Sequence, residues 1–224
     1  MHSKNQLHEA GSFAAQRRLF LRAAGFLPAA AALGLGALPS MAFAGGQLEE
    51  PLSDSVRTAL SLAVKASAPP PVPLFFDDKN RQQYQAWLAE MSARLGKRRS
   101  VLNQQEREEL LQTVWYEAKR AGLDVSLVLG LITVESNFRK YAISPVGARG
   151  FMQIMPFWSR VIGDGEASHL FHMQTNLRFG CVILRHYLDR EKGDEYMALG
   201  RYNGSRGKPQ YPNAVFGAQR NWIY

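Results

Sequence analysis

Residues 127–138 read LVLGLITVESNF, and residues 144–156 read SPVGARGFMQIMP. Apolar side chains recur at helical spacing in the first segment, and its single acidic residue, Glu135, lies beside or among them. Burial against an apolar wall raises the pKa of a carboxyl group, because the charged form loses its hydration. A carboxylic acid that keeps its proton near neutral pH can act as a general acid. An exposed glutamate on the back of the helix, or one paired with Arg139, would fit the same spacing.

The segment after this helix is rich in glycine and predicts a turn. The dipeptide Ser144-Pro145 and the glycines at positions 147 and 150 do not suit a continued helix. We therefore expect the chain to come back on itself here. This would place Gln153 and Met155 near the carboxyl group of Glu135.

Three short motifs resemble those of the soluble lytic transglycosylases, the lysozyme-like enzymes that cut the glycan strands of peptidoglycan. The first is ESNF at residues 135–138, the second is SPVGA with GFMQIMP within residues 144–156, and the third is RYNG at residues 201–204. They occur in the order typical of the family, and the set of three is highly specific. The resemblance implies a mainly α, lysozyme-like domain with little or no β structure.

The resemblance also implies roles for individual side chains around the acid. Glu135 matches the catalytic acid and base of the family. Ser144 and Tyr202 match positions that hydrogen-bond this carboxyl group and fix its orientation.

Further matched positions concern the substrate and the local structure. Gln153 and Met155 match positions that line the sugar subsites, whereas Ser136 and Asn203 are motif residues with a mainly structural role. Taken singly, such residues have ordinary explanations in turn chemistry or core packing.

Two positions depart from the family pattern. Phe151 stands where the second motif usually has leucine, and its larger side chain could change the core packing or the wall of the groove. Arg201 stands where the third motif usually has a small residue, and it would bring a positive charge towards the groove.

Glycosidic bond cleavage requires a proton for the leaving oxygen and a partner for the oxocarbenium-like centre. Most glycosidases use two carboxyl groups, but only Glu135 lies in the motif set. Asp124, at the other end of its helix, would be about 16 Å away at roughly 1.5 Å per residue. Asp164 and Glu166 lie in the loop after the second motif, where solvated charge is the default expectation.

The resemblance implies how one acid is sufficient. It would protonate the bond between N-acetylmuramic acid and N-acetylglucosamine, and then act as base on the muramoyl 6-hydroxyl to close a 1,6-anhydro ring. The acetamido group of the substrate would stabilise the intermediate, and neither water nor a cofactor would be needed. We also expect no metal site, because no third ligand accompanies the spaced pair His169 and His172.

The composition indicates one domain with a sizeable core, since 46% of the 224 residues are hydrophobic. The single cysteine, Cys181, excludes an internal disulfide and is expected to be a buried, inert thiol.

Four basic residues against one acidic residue give residues 1–44 a net charge of +3, which leaves +5 of the formal net charge of +8 for residues 45–224. A basic body suits nucleic acid, an anionic membrane surface or peptidoglycan. The resemblance selects peptidoglycan glycan strands and argues against nucleic acid.

Residues 1–44 have the pattern of an export signal. The sequence RRLFL at residues 17–21 is twin-arginine-like, an apolar run follows at residues 23–38, and AFA at residues 42–44 is a cleavage pattern that would leave Gly45 first. The general secretory route and an uncleaved anchor are the alternatives. Cleavage would give a periplasmic protein without stable membrane insertion, and a partner in an envelope machine is left open.

Residues 45–76 are predicted as a spacer with a short helix at residues 53–65 and a proline-rich segment at residues 68–73. Residues 77–224 are predicted as the transglycosylase domain. Its first helix carries an apolar stripe that suits the core, or else a platform for stacking sugars, formed by Tyr84, Trp87, Leu88, Met91 and Leu95.

Two helix starts are predicted from capping patterns. Asn103 and Glu106 have the spacing of a capping box, and Asp124 is placed to cap the helix that carries Glu135.

Two rival functions fit the same residues. One is a lysozyme-type hydrolase on the same fold, which would use water to cut the bond. The other is a peptidoglycan-binding module without catalysis, although the complete set of Glu135, Gln153 and Tyr202 argues against it.

Overall fold

Eight α-helices and two short 3-10 helices make up the part of the chain that the computed structural model describes, residues 46–65, 73, 75 and 77–224. The 3-10 helices are Ala167–Phe171 and Arg220–Trp222. The α-helices are α1 (Asp54–Val64), α2 (Asp78–Arg98), α3 (Gln104–Arg120), α4 (Val125–Glu135), α5 (Phe157–Ile162), α6 (Met173–Arg190), α7 (Glu195–Asn203) and α8 (Gln210–Gln219).

Extended pairing within these residues is limited to two isolated antiparallel bridges, Ile143 with Arg149 and Arg149 with Ile154. The predicted mainly α class with little or no β structure is therefore confirmed. The predicted export signal and most of the proline-rich segment lie outside the described residues. No helix in the described part of the chain has both the length and the apolar character of a membrane span.

The predicted helix caps are present. The Asn103 side chain accepts a hydrogen bond from the backbone of Glu106 at 3.0 Å, and the Glu106 carboxylate accepts one from the backbone of Asn103 at 2.8 Å. Asp124 accepts from the backbone N–H of Ser126 at 2.6 Å and so begins α4. A cap of this kind contributes about 1 kcal/mol, because it satisfies backbone donors that have no partner within the helix.

Helix α4 runs through the core, and its apolar residues are buried around most of its circumference. Its main neighbour is α8, which approaches unusually closely at Gly130. A Cβ atom at Gly130 would lie 2.8 Å from the backbone nitrogen of Gln219, so only glycine permits this packing. The close approach brings the start of α8 alongside the end of α4, where Glu135 lies.

The aromatic stripe of α2 belongs to the core. Tyr84 and Trp87 are both buried, and the Tyr84 ring meets Trp115 of α3 edge-on at 5.1 Å between centroids. Phe75 also packs against Tyr84. These rings therefore hold α2 against α3, and they are not free to stack on a sugar.

Helices α3 and α6 enclose an ion pair between Glu117 and Arg178. The Arg178 guanidinium donates to the Glu117 carboxylate at 2.7 Å, and both side chains are almost fully buried. Cys181, one turn further along α6, is also buried, and burial raises the pKa of its thiol far above the ordinary value. This agrees with an inert thiol.

Helix α1 lies in the region that the sequence predicts as a spacer. Ser53 caps it, Leu60 is buried, and the helix packs against α5 and α6. Arg120 of α3 also donates to the carbonyl of Ala63 at 2.5 Å. This part of residues 45–76 is thus attached to the helical body, whereas the domain boundary at residue 77 stays a prediction.

Candidate active site

Glu135 is the last residue of α4, and only 2% of its surface is exposed. Burial raises the pKa of its carboxyl group from an ordinary 4.5 to about 8, while a hydrogen bond from Tyr211 acts in the opposite direction. Arg139 turns away and donates to the backbone carbonyl of Ser136 at 3.0 Å. Both alternatives from the sequence, an exposed glutamate and a pair with Arg139, are therefore wrong.

The hydroxyl group of Tyr211, in the first turn of α8, donates to Oε1 of Glu135 at 2.5 Å. Tyr211 is itself buried, and its pKa is raised well above the ordinary value, mainly by burial. It therefore stays a neutral donor. The other carboxyl oxygen, Oε2, is buried and has no hydrogen-bond partner among the described residues. A protonated Glu135 would consequently carry its proton on Oε2, the oxygen that is free to donate.

The predicted hydrogen bonds from Ser144 and Tyr202 to the carboxyl group are not seen. The Ser144 hydroxyl accepts from the backbone of Ala148 at 3.0 Å and closes the turn. The Tyr202 hydroxyl donates to the carbonyl of Met152 at 2.8 Å. Tyr202 is still close enough to Glu135 for that charge to contribute to its raised pKa, after burial as the main cause. The direct contact comes from Tyr211 because α8 packs against α4.

Buried polar contacts hold the loop that carries the second motif. The Ser136 hydroxyl donates to the carbonyl of Phe151 at 2.7 Å, which ties the end of α4 to the loop. Asn176 of α6 accepts from the backbone of Met152 at 2.8 Å and donates to the carbonyls of Arg149 and Leu170. Phe151 is buried, so its departure from the family pattern changes core packing.

Gln153 and Met155 face the site through their backbones. The side-chain amide of Gln153 is buried and donates to the carbonyls of Gly150 at 2.9 Å and Ala142 at 3.2 Å. It braces the turn, whereas its backbone carbonyl accepts from the Gln47 side chain. Met155 is partly buried against the core, and its backbone N–H donates to Gln47. Whether these two residues line sugar subsites stays a prediction.

The third motif ends α7 beside the site. Asn203 is largely buried, and Gly204 follows in the left-handed conformation that ends the helix. Arg201, the second departure from the family pattern, makes ion pairs with Glu191 and with Glu50, the latter at 3.1 Å. Its charge is therefore compensated by acidic residues.

The other acids considered from sequence are engaged elsewhere. Asp124 caps the far end of α4, and Asp164 contacts the ring of His169 at 2.6 Å. The rings of His169 and His172 stack, but within the described residues no three His, Cys, Asp or Glu side chains converge as metal ligands do. Asp124 and Asp164 are therefore held away from Glu135.

Three contributors were not found by sequence reasoning: Tyr211, Asn176 and Gln47. Tyr211 lies 76 residues from Glu135 and Gln47 lies 106 residues from Gln153, so no local spacing links them. A useful signal would have been Asn176, a polar residue amid the apolar positions of α6, because a fully buried amide must have hydrogen-bond partners.

The structure thus places a buried carboxyl group on a helical scaffold, where it accepts a hydrogen bond from Tyr211. The chain belongs to the transglycosylase SLT domain family, whose sequence profile matches residues 112–223, half of the chain. The resemblance drawn from the three motifs is thereby confirmed.

Individual relatives cover the same region. The chain is 51% identical over 105 residues to the membrane-bound lytic murein transglycosylase C of Glaesserella parasuis serovar 5, and 33% identical over 105 residues to that of Actinobacillus pleuropneumoniae serotype 5b. Each alignment covers 40% of this chain and 29% of the relative. A transglycosylase of Enterobacteria phage PRD1 is 32% identical over 100 residues, or 45% of this chain and 36% of the phage protein. The matched region thus spans about a third of the length of these relatives.

Among solved structures, the chain is similar to the lytic transglycosylase Slt of Pseudomonas aeruginosa, which was solved as an inactive mutant. The TM-score is 0.40 at 18% identity, with 68% of this chain and 36% of that chain covered.

Proposed function

We propose that the protein is a peptidoglycan lytic transglycosylase. It would cleave the β-1,4 bond between N-acetylmuramic acid and N-acetylglucosamine without water and leave 1,6-anhydromuramoyl ends. Support comes from membership in the transglycosylase SLT domain family and from relatives named lytic murein transglycosylases. The single observation that carries the proposal is the buried Glu135, whose pKa of about 8 keeps it protonated at neutral pH.

Glu135 would act first as the acid. Its Oε1 accepts from Tyr211, so the proton on Oε2 passes to the glycosidic oxygen as the bond from that oxygen to C1 of the muramoyl sugar breaks. Low polarity around the carboxyl group keeps the proton in place until the substrate is bound, because the ionised form is poorly solvated there.

The ionised Glu135 would then act as base. It takes the proton of the muramoyl 6-hydroxyl while a bond forms between O6 and C1, which restores the acid and consumes no water. The hydrogen bond from Tyr211 stabilises the carboxylate between the two steps. The described part of the chain offers no second carboxyl group at the site, which favours participation by the substrate over a two-carboxylate mechanism.

Product analysis on purified sacculi tests this function. Muropeptides released by the protein are expected to carry 1,6-anhydro ends, which weigh one water less than reducing ends in mass spectrometry. Reducing ends would instead identify a hydrolase of the lysozyme type. Binding to sacculi without release of soluble fragments would identify a non-catalytic binding module.

We further propose a location in the cell envelope, on the periplasmic side. The substrate is there, the two bacterial relatives described above are named as membrane-bound proteins, and residues 1–44 have the pattern of an export signal. A fusion of residues 1–44 to a reporter that is active only after twin-arginine export would test the route. Its control replaces Arg17 and Arg18 with lysine, which should abolish export by that route.

A further inference from the structure

Residues 46–50, here called the strap, form a segment outside any helix or strand that leads towards α1. The strap lies against the second and third motifs, which are far from it in sequence. Gln47 is 4% exposed although it belongs to no helix, so its side chain is enclosed by the residues of the site. No element of the general-acid chemistry above needs this segment.

The carboxamide of Gln47 makes a two-sided contact with the backbone of the second motif. Its Oε1 accepts from the N–H of Met155 at 3.2 Å, and its Nε2 donates to the carbonyl of Gln153 at 3.4 Å. Burial raises the pKa of the Tyr202 hydroxyl, in the third motif, and the nearby side chain of Gln47 acts in the opposite direction. The Gln47 side chain is thus hydrogen-bonded to the second motif and lies near Tyr202 of the third.

This contact is one that an N-acetylated sugar could make. An acetamido group has one carbonyl acceptor and one N–H donor, the same pair of functions that Gln47 presents to Met155 and Gln153. Both partners are backbone groups, so they are fixed in place. Gln47 and an acetamido group therefore cannot use this pair at the same time.

The rest of the strap fits the third motif closely. A Cβ atom at Gly46 would lie 2.7 Å from the carbonyl oxygen of Asn203, and a side chain at Gly204 would collide with the Gly46 carbonyl. Beyond Gln47, Glu50 makes ion pairs with Arg190 and Arg201. Arg201 is the residue that replaces the usual small residue of the third motif, and here it holds the strap.

We propose that the strap is an autoinhibitory segment that occupies the binding site for N-acetylated glycan and must leave before the glycan enters. This inference rests on the proposed function, since it assumes that the motif face binds glycan. One observation and one expectation from the sequence support it. Oε2 of Glu135 is closed off from solvent in this conformation. Cleavage after Ala44, as the sequence predicts, would also make the strap the free end of the chain.

The expected change in glycan affinity follows from the fraction of molecules in which the strap is displaced, here called the open fraction. If glycan binds only when the strap is displaced, the apparent dissociation constant exceeds the intrinsic one by the inverse of the open fraction. The Gln47 contacts amount to about one net hydrogen bond, so their loss is expected to tighten glycan binding about fivefold.

Binding of a tetramer of β-1,4-linked N-acetylglucosamine, measured by calorimetry, tests the strap. The measurements use the purified chain carrying Glu135→Gln, so that no cleavage interferes. Gln47→Ala removes the carboxamide, and Gly46→Val forces the strap away from Asn203. Glu49→Gln is the matched control, because Glu49 lies in the same segment but is exposed and contacts only Arg160, at 3.8 Å. Release of muropeptides from sacculi is measured in parallel with Glu135 intact.

Tighter binding by Gln47→Ala and Gly46→Val, together with faster release and an unchanged control, is the expected result. Unchanged affinity in both variants would contradict the autoinhibitory role of the strap. Weaker binding by Gln47→Ala would also contradict it, since Gln47 would then assist glycan binding. If the unaltered protein releases anhydro-muropeptides and all variants bind equally, the proposed function stands and only the proposal of autoinhibition fails. If nothing binds and nothing is released, the proposed function fails and the strap with it.

Discussion

Glu117 in α3 and Glu135 at the end of α4 are both buried glutamates, with 0% and 2% of their surfaces exposed. The carboxylate of Glu117 meets the guanidinium of Arg178 at 2.7 Å, and Arg120 approaches it at 3.6 Å. Within the described part of the chain, the carboxyl group of Glu135 accepts a hydrogen bond from the neutral hydroxyl of Tyr211 and from no cation. Glu117 therefore has positively charged partners, whereas the contact described for Glu135 is with an uncharged group.

The difference shows how burial has opposite consequences for one residue type, and it supports a structural role for Glu117 and the proposed chemical role for Glu135. A buried carboxylate with a cation is stable as a charge and joins α3 to α6. A buried carboxyl group without a cation keeps its proton, and the pKa of about 8 at Glu135 expresses this. Proton donation requires the second arrangement, whereas the first holds helices together.

The largest expected effect is on catalysis, from Glu135→Gln. The amide has nearly the same shape but cannot give or take the proton, so release of muropeptides should fall by about 10²–10⁴-fold. The rate of release from sacculi is the measurement, and the far-ultraviolet circular dichroism spectrum should be unchanged. The control is Glu166→Gln, an exposed glutamate whose loss should leave the rate unaltered. A Glu135→Gln protein within tenfold of the normal rate would contradict the acid assignment.

The next effect is on stability, from Arg178→Met. The substitution leaves the buried charge of Glu117 without its main partner, which should lower the free energy of unfolding by about 3–5 kcal/mol. Urea unfolding measures it. In the double variant Arg178→Met with Glu117→Leu, most of this loss should be recovered, because both charges are gone. A loss below about 1 kcal/mol in the single variant would show that the pair is not the structural element described here.

The sequence was sufficient for those features that depend on neighbouring residues. The caps at Asn103 and Asp124 and the core stripe of α2 follow from local spacing and apolar patterning, whereas spacing alone left the burial of Glu135 open. The mainly α class follows from the same periodicity together with the motif resemblance.

Contacts between distant segments were beyond such reasoning. The tyrosine that hydrogen-bonds Glu135 is Tyr211 and not Tyr202, because the close packing of α8 on α4 at Gly130 brings the Tyr211 hydroxyl to the carboxyl group. Gln47 lay in a region interpreted as a spacer, and one sequence contains no signal that an extended segment returns to the motifs. These features depend on three-dimensional packing, in which a shift of one helix by a turn would select other partners.

A smaller expected effect is the pH dependence of the free energy of unfolding that Glu135 causes. Between pH 4.5 and about 8 the unfolded chain has an ionised Glu135 while the native acid keeps its proton, so the native state binds more protons. Its contribution to stability is therefore lost as pH rises, and at pH 7 it costs roughly 3 kcal/mol relative to a neutral side chain.

The pair of proteins with and without Glu135→Gln measures this cost. The variant should be more stable to urea at pH 7 than the unaltered protein, and the difference should shrink towards pH 4.5. Glu166→Gln again provides the control, since an exposed glutamate should show no such trend. A difference that is constant across this range would mean that Glu135 is ionised in the native state.

The smallest expected effect comes from Tyr211→Phe, and it tests which tyrosine serves the acid. The Tyr211 hydroxyl lowers the pKa of Glu135 against the larger effect of burial, so its removal should move the alkaline limb of the pH–activity profile to higher pH. Loss of one hydrogen bond should also reduce the rate below that limb by less than about tenfold. Tyr202→Phe is the matched comparison, because its hydroxyl donates to the carbonyl of Met152 and not to the acid. Tyr202→Phe should leave the alkaline limb at the same pH. A shift caused by Tyr202→Phe and not by Tyr211→Phe would show that Tyr202, in the third motif, orients the acid.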